Sequence, residues 1–348
     1  MGPKEDLWPV PHLKLKSMNM PQRLTGLIAA TYTPLLEDGS LSLGEVPKMV
    51  DHLERSGVKG VYICGSTGEG MSLTTAERCA VAEAYMAAAK GRLRTIVQVG
   101  HNSLADARTL AIHAQAAGAD AVSATPPSYY KIESSGMLVE CMAEIAAAAS
   151  NVPFYYYHIP VLTGVAIDMV EFMEAAAARI PNLVGLKYTA PKVHEFQACR
   201  ELMNGRFDIV WGSDEMLLSA LVVGARGAIG STYNFAAPLY REIIDAFDRQ
   251  DLERAQELQS RSVQLVRLMS QYPFHAASKG ILKMMGLECG PCRAPLASLS
   301  RAQESQLRKD LEESGCWAWL KPQHEPAGAD GQATVPSPHG SAFVNVKR

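Results

Sequence analysis

A single lysine ends the apolar run Asn182-Leu183-Val184-Gly185-Leu186-Lys187-Tyr188-Thr189. Apolar residues at 183, 184 and 186 read as a strand buried on both faces, as in a parallel sheet. An ammonium at the end of such a strand is costly to bury, so burial drives its pKa down. The neutral amine is a nucleophile, and its usual target is a carbonyl, with which it forms a Schiff base. A lysine that snorkels out to water would have no such chemistry. The other reactive segments of the chain decide between the two.

Gly65-Ser66-Thr67-Gly68-Glu69-Gly70 is a glycine-rich turn whose backbone N–H groups can bind an anion. Pro126-Pro127-Ser128-Tyr129-Tyr130 and Tyr157-His158-Ile159-Pro160-Val161-Leu162-Thr163-Gly164 supply phenols. Gly212-Ser213-Asp214-Glu215 and Ser231-Thr232-Tyr233-Asn234 supply a polar, acidic rim. An amine, an anion site, phenols and such a rim suit a keto-acid substrate. The lysine attacks the ketone, the turn holds the carboxylate, and a tyrosine hydroxyl moves protons. Each segment alone has a plainer account. The Tyr155–Tyr157 run can be core, and Asp214-Glu215 can serve a helix dipole. Their common placement is what favours chemistry.

That placement comes from the elements. Short apolar runs occur at 24–32, 58–64, 94–99, 119–124, 153–157, 182–188, 207–211 and 226–230. Helical patterns fall between and after them at 43–56, 74–90, 104–117, 136–150, 168–178, 193–203, 215–223 and 238–248. The second opens on Thr74-Thr75-Ala76-Glu77, an N-cap with an acidic first turn. Gly57, Gly91, Gly118 and Gly205 stand just past helix ends, where a left-handed residue is wanted. Strand and helix alternating eight times reads as a (β/α)8 TIM barrel rather than an open doubly wound sheet. Such barrels keep their chemistry at the C-terminal ends of the strands, and each segment singled out above lies there. Further helical patterns at 252–269, 275–285 and 300–314 read as a C-terminal helical extension. The expected division is a flexible proline-rich arm over 1–22, a barrel over 23–248 and a helical appendage over 249–316. Residues 317–348, patternless from Lys321 onward, are expected to be a disordered tail.

The 348 residues are 47% hydrophobic and 20% charged, with a net charge of −3, which is ordinary globular composition. Near-neutral charge argues against nucleic-acid or membrane-surface partners. No apolar run has the length of a membrane span, and residues 1–20 carry no apolar signal core, so a cytoplasmic enzyme is expected. The nine histidines show no H-x-x-x-H spacing, and no metal or other cofactor is called for. His158 faces the site by position and reads either as structural or as a sugar contact. The seven cysteines are scattered and odd in number, like reduced core residues. Cys289-Gly290-Pro291-Cys292 matches a thiol-redox spacing but follows a helix instead of opening one.

Gly65-Ser66-Thr67-Gly68-Glu69, then Tyr157-x-Ile-Pro, then Gly185-x-Lys187 resembles the pyruvate-dependent class I aldolases, the group of N-acetylneuraminate lyase and dihydrodipicolinate synthase. The resemblance covers about residues 23–300. Tyr155-Tyr156-Tyr157-His158-Ile159-Pro160 with Leu162-Thr163-Gly164-Val165, and Gly230-Ser231-Thr232-Tyr233-Asn234, resemble the N-acetylneuraminate lyase branch. This likeness implies Lys187 as the Schiff-base lysine and Tyr157 as the proton-transfer tyrosine. It implies Ser66 and Thr67 as binders of the pyruvate carboxylate that also help position the tyrosine. Thr189, Gly212, Asp214, Glu215 and Ser231 match the sugar-binding region. Tyr129 matches a tyrosine lent to a neighbouring subunit's site, with Tyr130 one step away, and the family implies a homotetramer. Gly290, Pro291, Arg293 and Pro295 match a structural loop, which leaves Cys289 and Cys292 incidental.

The implied activity is retro-aldol cleavage of N-acetylneuraminate, a sialic acid, to N-acetylmannosamine and pyruvate. The alternatives are an aldolase or dehydratase on another 2-keto-3-deoxy sugar acid, or a dihydrodipicolinate synthase. The last places an arginine where this chain has Leu162, which cannot pair with a carboxylate. A non-catalytic homologue would be expected to lack Lys187 or Tyr157, and both are present. A thiol oxidoreductase would depend on Cys289 and Cys292.

Overall fold

The computed structural model describes residues 23–320, and in it eight parallel strands close into a barrel in sequence order. They are β1 (Gly26–Ala30), β2 (Gly60–Ile63), β3 (Arg94–Gln98), β4 (Ala121–Ala124), β5 (Phe154–His158), β6 (Leu183–Tyr188), β7 (Asp208–Trp211) and β8 (Gly227–Gly230). Strand β8 pairs back onto β1 from Gly26↔Gly227 to Ala29↔Gly230. The surrounding helices are α1 (Val46–Arg55), α2 (Thr75–Ala89), α3 (Leu104–Ala116), α4 (Ser135–Ala148), α5 (Pro160–Thr163), α6 (Met169–Arg179), α7 (Val193–Gly205), α8 (Leu217–Val222) and α9 (Tyr233–Asp248). The eight predicted strands and the (β/α)8 reading are therefore present. Among the described residues no helix is long and apolar enough to cross a membrane.

Local chemistry explains most boundaries. Thr74 caps α2 in a full capping box with Glu77. Gly57, Gly91 and Gly118 take positive φ just past helix ends, and Gly205 takes it as the last residue of α7, after non-helical backbone at Leu202, Met203 and Asn204. Three expectations shift. Helix α9 begins at Tyr233, five residues before the predicted 238, because the turn ahead of Pro238 is helical but kinked at Ala236. The stretch predicted at 215–223 is a 3-10 turn, Asp214–Met216, followed by the short α8. Helix α5 was not foreseen, and it sits in the loop after β5.

Alternation along the strands makes two separate cores. Ile28, Tyr62, Ile96, Tyr155, Tyr157 and Val210 fill the barrel interior. Leu27, Val61, Val97, Tyr156, Leu186 and Trp211 pack outward with the helices. Strand β6 departs from strict alternation. Its register with β5 runs Phe154↔Leu183 and then Tyr155↔Gly185, so Val184 is one residue too many. Leu183 and Leu186 consequently both join the outer layer, and Lys187 turns inward. Counted by twos from Leu183, Lys187 would have faced the helices. A Cβ on Gly185 would lie 1.8 Å from the Asp208 carbonyl oxygen, so the bulge has no space for a side chain.

Past the barrel come α10 (Leu252–Met269), α11 (Phe274–Met284), α12 (Arg301–Glu313) and α13 (Cys316–Trp319). Residues 317–320, expected to belong to a disordered tail, are instead part of the fold: Trp317 and Trp319 pack against the core and Leu320 is buried. The arm over 1–22 and the tail from 321 lie outside the described residues.

Gly185→Ala is expected to cost about 1–3 kcal/mol or more through overpacking, read as a lower urea midpoint. An unchanged midpoint would mean that β6 and β7 separate freely at the bulge.

Candidate active site

Lys187 ends inside the barrel, 4% exposed. Its Nζ lies 4.1 Å from the ring centroid of Tyr62 and 4.0 Å from that of Tyr157. The two rings meet edge to face, with centroids 5.7 Å apart. Burial pushes the Lys187 pKa below its ordinary value, while Tyr157 and, more distantly, Asp214 pull it back up. Burial also raises the Tyr62 phenol, which donates to Ser123 Oγ at 3.1 Å. Sequence reading missed Tyr62 and Ser123. The signal was available in β2, where Tyr62 holds the inward phase between the outward Val61 and Ile63.

The turn after β2 meets the loop after β8 across the end of β1. Thr67 Oγ1 and Ser231 Oγ are 2.6 Å apart, which joins the loops after β2 and β8. Thr33 Oγ1 donates to the Gly68 carbonyl at 2.6 Å, and the Gly65 and Ser66 carbonyls accept from Gly70 and Glu69 within the turn. The carbonyls of Gly65, Ser66 and Gly68 are thus occupied. Among the described residues no acceptor meets the N–H groups of Ser66 and Thr67. Free donors over occupied acceptors make an anion nest.

Asp214 is buried at the end of β7, and its Oδ2 accepts from the Thr232 N–H at 2.9 Å and from Thr232 Oγ1 at 2.6 Å. Its Oδ1 is buried without a partner, and a Cβ on Gly230 would come within 1.7 Å of it. Burial pushes the carboxyl up to about 6 in spite of the two bonds from Thr232. Glu215, beside it, is exposed at the rim. Thr189 Oγ1 is likewise buried and unpartnered, and a Cβ on Gly212 would stand 2.0 Å from it. Gly212 therefore makes room for the Thr189 hydroxyl.

The structure brings Lys187, Tyr157, Ser66, Thr67, Thr189, Gly212, Asp214, Glu215 and Ser231 to one end of the barrel. One expectation changes. His158 does not face the site: it lies among the outer rings of Tyr156 and Tyr188, where burial lowers it to about 4. The single-residue step from Tyr157 carries it outward. Tyr129 is 76% exposed in the loop after β4 and is not brought to Lys187 within one chain. That loop is fixed by Asn102 Oδ1, which accepts from the N–H groups of Ser128 and Tyr129 at 2.8 and 3.1 Å.

All seven cysteines are free. Burial pushes the Cys289 and Cys292 thiols up to about 12 and about 11, so they stay protonated and poor at exchange. Among the described residues no group of three or more His, Cys, Asp or Glu side chains is placed to hold a metal ion.

A buried amine between two phenols, at the end of a closed barrel that also carries a turn with free N–H groups, suits the carbon–carbon lyases that work through a Schiff base. Residues 23–314 match the dihydrodipicolinate synthetase family, and the chain belongs to it. The N-acetylneuraminate lyase of Rattus norvegicus is 38% identical over 280 residues, taking in 79% of this chain and 88% of that protein. The native N-acetylneuraminate lyase, or sialic acid aldolase, of Aliivibrio salmonicida aligns with a TM-score of 0.84 at 39% identity, covering 87% of this chain and 100% of that one. A catalytic lysine mutant of the Ruminococcus gnavus sialic acid aldolase aligns at 0.80 and 30% identity, covering 84% and 96%.

Because Asp214 moves from its ordinary 3.8 to about 6, the folded chain keeps a proton in that interval that the unfolded chain has lost. Its contribution to stability therefore falls as pH rises through the interval. Asp214→Asn carries no such proton. Urea denaturation should show the variant gaining on the parent from about pH 4 to about pH 6 and holding level above. A gap independent of pH would mean that the carboxyl keeps its ordinary acidity in the fold.

Proposed function

We propose that this chain cleaves N-acetylneuraminate to N-acetylmannosamine and pyruvate through a Schiff base on Lys187. The observation that carries this reading is the dry seat of the Lys187 amine between Tyr62 and Tyr157. In the open-chain sugar acid, the amine adds to the C2 ketone and water leaves, giving a protonated imine. The turn holds the C1 carboxylate through its free N–H groups and hydroxyls. Tyr157 takes the proton of the C4 hydroxyl. As the C3–C4 bond breaks, its electron pair moves into the imine, giving an enamine and releasing N-acetylmannosamine as the aldehyde. Protonation of the enamine at C3 and addition of water release pyruvate and restore the amine.

Thr189, Asp214, Glu215 and Ser231 are assigned to the sugar hydroxyls. The unpartnered Thr189 Oγ1 and Asp214 Oδ1 support this, since each is a buried polar atom that a hydroxyl would satisfy. Asp214 Oδ2 is already committed to Thr232, so Oδ1 is the contact oxygen. Leu162, 63% exposed on α5, offers no charge for a second carboxylate, which favours a sugar over an acidic partner substrate. We assign Tyr129 to the site of a neighbouring copy in a homotetramer. The exposed apolar rim of Tyr129, Tyr130, Val161 and Leu162 supports such a contact. Reduced, mostly buried cysteines favour a cytoplasmic setting.

Borohydride trapping with pyruvate, followed by peptide mass spectrometry and a sialic acid cleavage assay, tests this reading. The expected result is a reduced pyruvyl adduct on Lys187 and release of N-acetylmannosamine. Tyr157→Phe should still trap pyruvate but turn over about 10²–10⁴ times more slowly. An adduct without cleavage would move the substrate to another keto-sugar acid. No adduct in folded protein would overturn the Schiff-base mechanism.

A further inference from the structure

We propose that His275 and Lys279, one helical turn apart on α11, are positioning residues that hold the Ser66–Thr67 turn in its anion-binding shape. The inference rests on reading that turn as the seat of the substrate carboxylate. His275 Nε2 lies 3.0 Å from the Ser66 carbonyl oxygen. A carbonyl only accepts, so the ring carries its proton on Nε2 and donates. Lys279 Nζ lies 2.6 Å from Glu69 Oε1, with the lysine side chain 3% exposed and the glutamate 0%. The same Nζ donates to the Pro291 carbonyl at 2.7 Å, and Glu69 Oε2 accepts from the Arg293 N–H at 2.7 Å.

Both contacts reach the turn from behind. Glu69 takes a left-handed backbone conformation, φ 55°, which a glutamate adopts only under constraint. Such a conformation must be held by its surroundings, and the buried ion pair holds it. With the Ser66 carbonyl tied to α11 and Glu69 locked onto Lys279, the intervening N–H groups have one direction left. A buried ion pair is a poor source of net stability, since desolvation offsets the attraction, but it fixes geometry tightly. Here the geometry it fixes is that of the carboxylate seat.

The C-terminal appendage is thereby tied to binding, and the test must separate binding from general damage. Removing Lys279 alone leaves Glu69 charged and buried, so the first variant is the double Glu69→Gln/Lys279→Met, which removes both charges. The second is His275→Ala, which removes one donor from a half-buried side chain. Pyruvate is titrated in borohydride trapping at Lys187. The half-saturating concentration is expected to rise about ten- to a hundredfold in the double variant and about threefold in His275→Ala. The trapping rate at saturating pyruvate should stay within about twofold of the parent, because the amine itself is untouched. The KM for sialic acid should rise in parallel while kcat holds.

Unchanged half-saturation in both variants overturns the proposal. So does a fall in the saturated rate with half-saturation unchanged, which a merely structural role would give. If the double variant does not fold, His275→Ala decides by the same criterion. Failure of the unaltered protein to trap pyruvate would instead remove the reading of the turn itself.

Discussion

An amine attacks a carbonyl only while it is neutral, and in water a lysine near pH 7 is almost wholly charged. Everything at the active end of this barrel follows from keeping one amine dry without leaving it unsolvated. Lys187 is lined by ring faces, which lower the cost of a transient positive charge without pinning it as a carboxylate would. The same faces remain compatible with the iminium that the proposed reaction forms. A direct ion pair would have stabilised the ammonium and silenced the nucleophile. The carboxylate of Asp214 acts on the amine only at longer range, and its short bonds go to Thr232.

The barrel supplies this environment by staples between loops that are far apart in sequence. Thr67 meets Ser231, Asp214 meets Thr232, and Thr33 meets Gly68. Each staple joins the end of one strand to that of another, so the rim resists shear where the substrate would pull on it. Glycines at 212 and 230 let Thr189 and Asp214 approach the wall closely. Small residues on the wall thus allow large polar ones to face inward.

Much of this was legible in the chain. Eight apolar runs with glycine stops define the barrel, and a lysine at the end of a buried strand declares itself by its cost. Side-chain direction was harder. Tyr62 was read as part of an apolar run, although the alternation of β2 assigns it to the interior. His158 follows a catalytic candidate by one residue and therefore points the other way, a consequence of pleating that proximity in sequence conceals. The partners of the Gly65–Gly70 turn, His275 and Lys279, stand some two hundred residues away on a helix that sequence reading treated as an appendage. Tyr129 is exposed in one chain, and a single sequence gives no sight of a second copy.

The extra residue in β6 has a meaning beyond local geometry. Strand composition and hydrophobic pattern say that a lysine is present. That Val184 is bulged out of the alternation decides which side of the wall the lysine occupies. Because the bulge absorbs that residue, the amine keeps the inward phase of its partner Tyr157; with Val184 counted in strict alternation, it would turn toward the helix layer instead. Within this architecture, chemistry therefore depends on a reading frame in space. Two barrels with near-identical strands can differ in having a nucleophile at all.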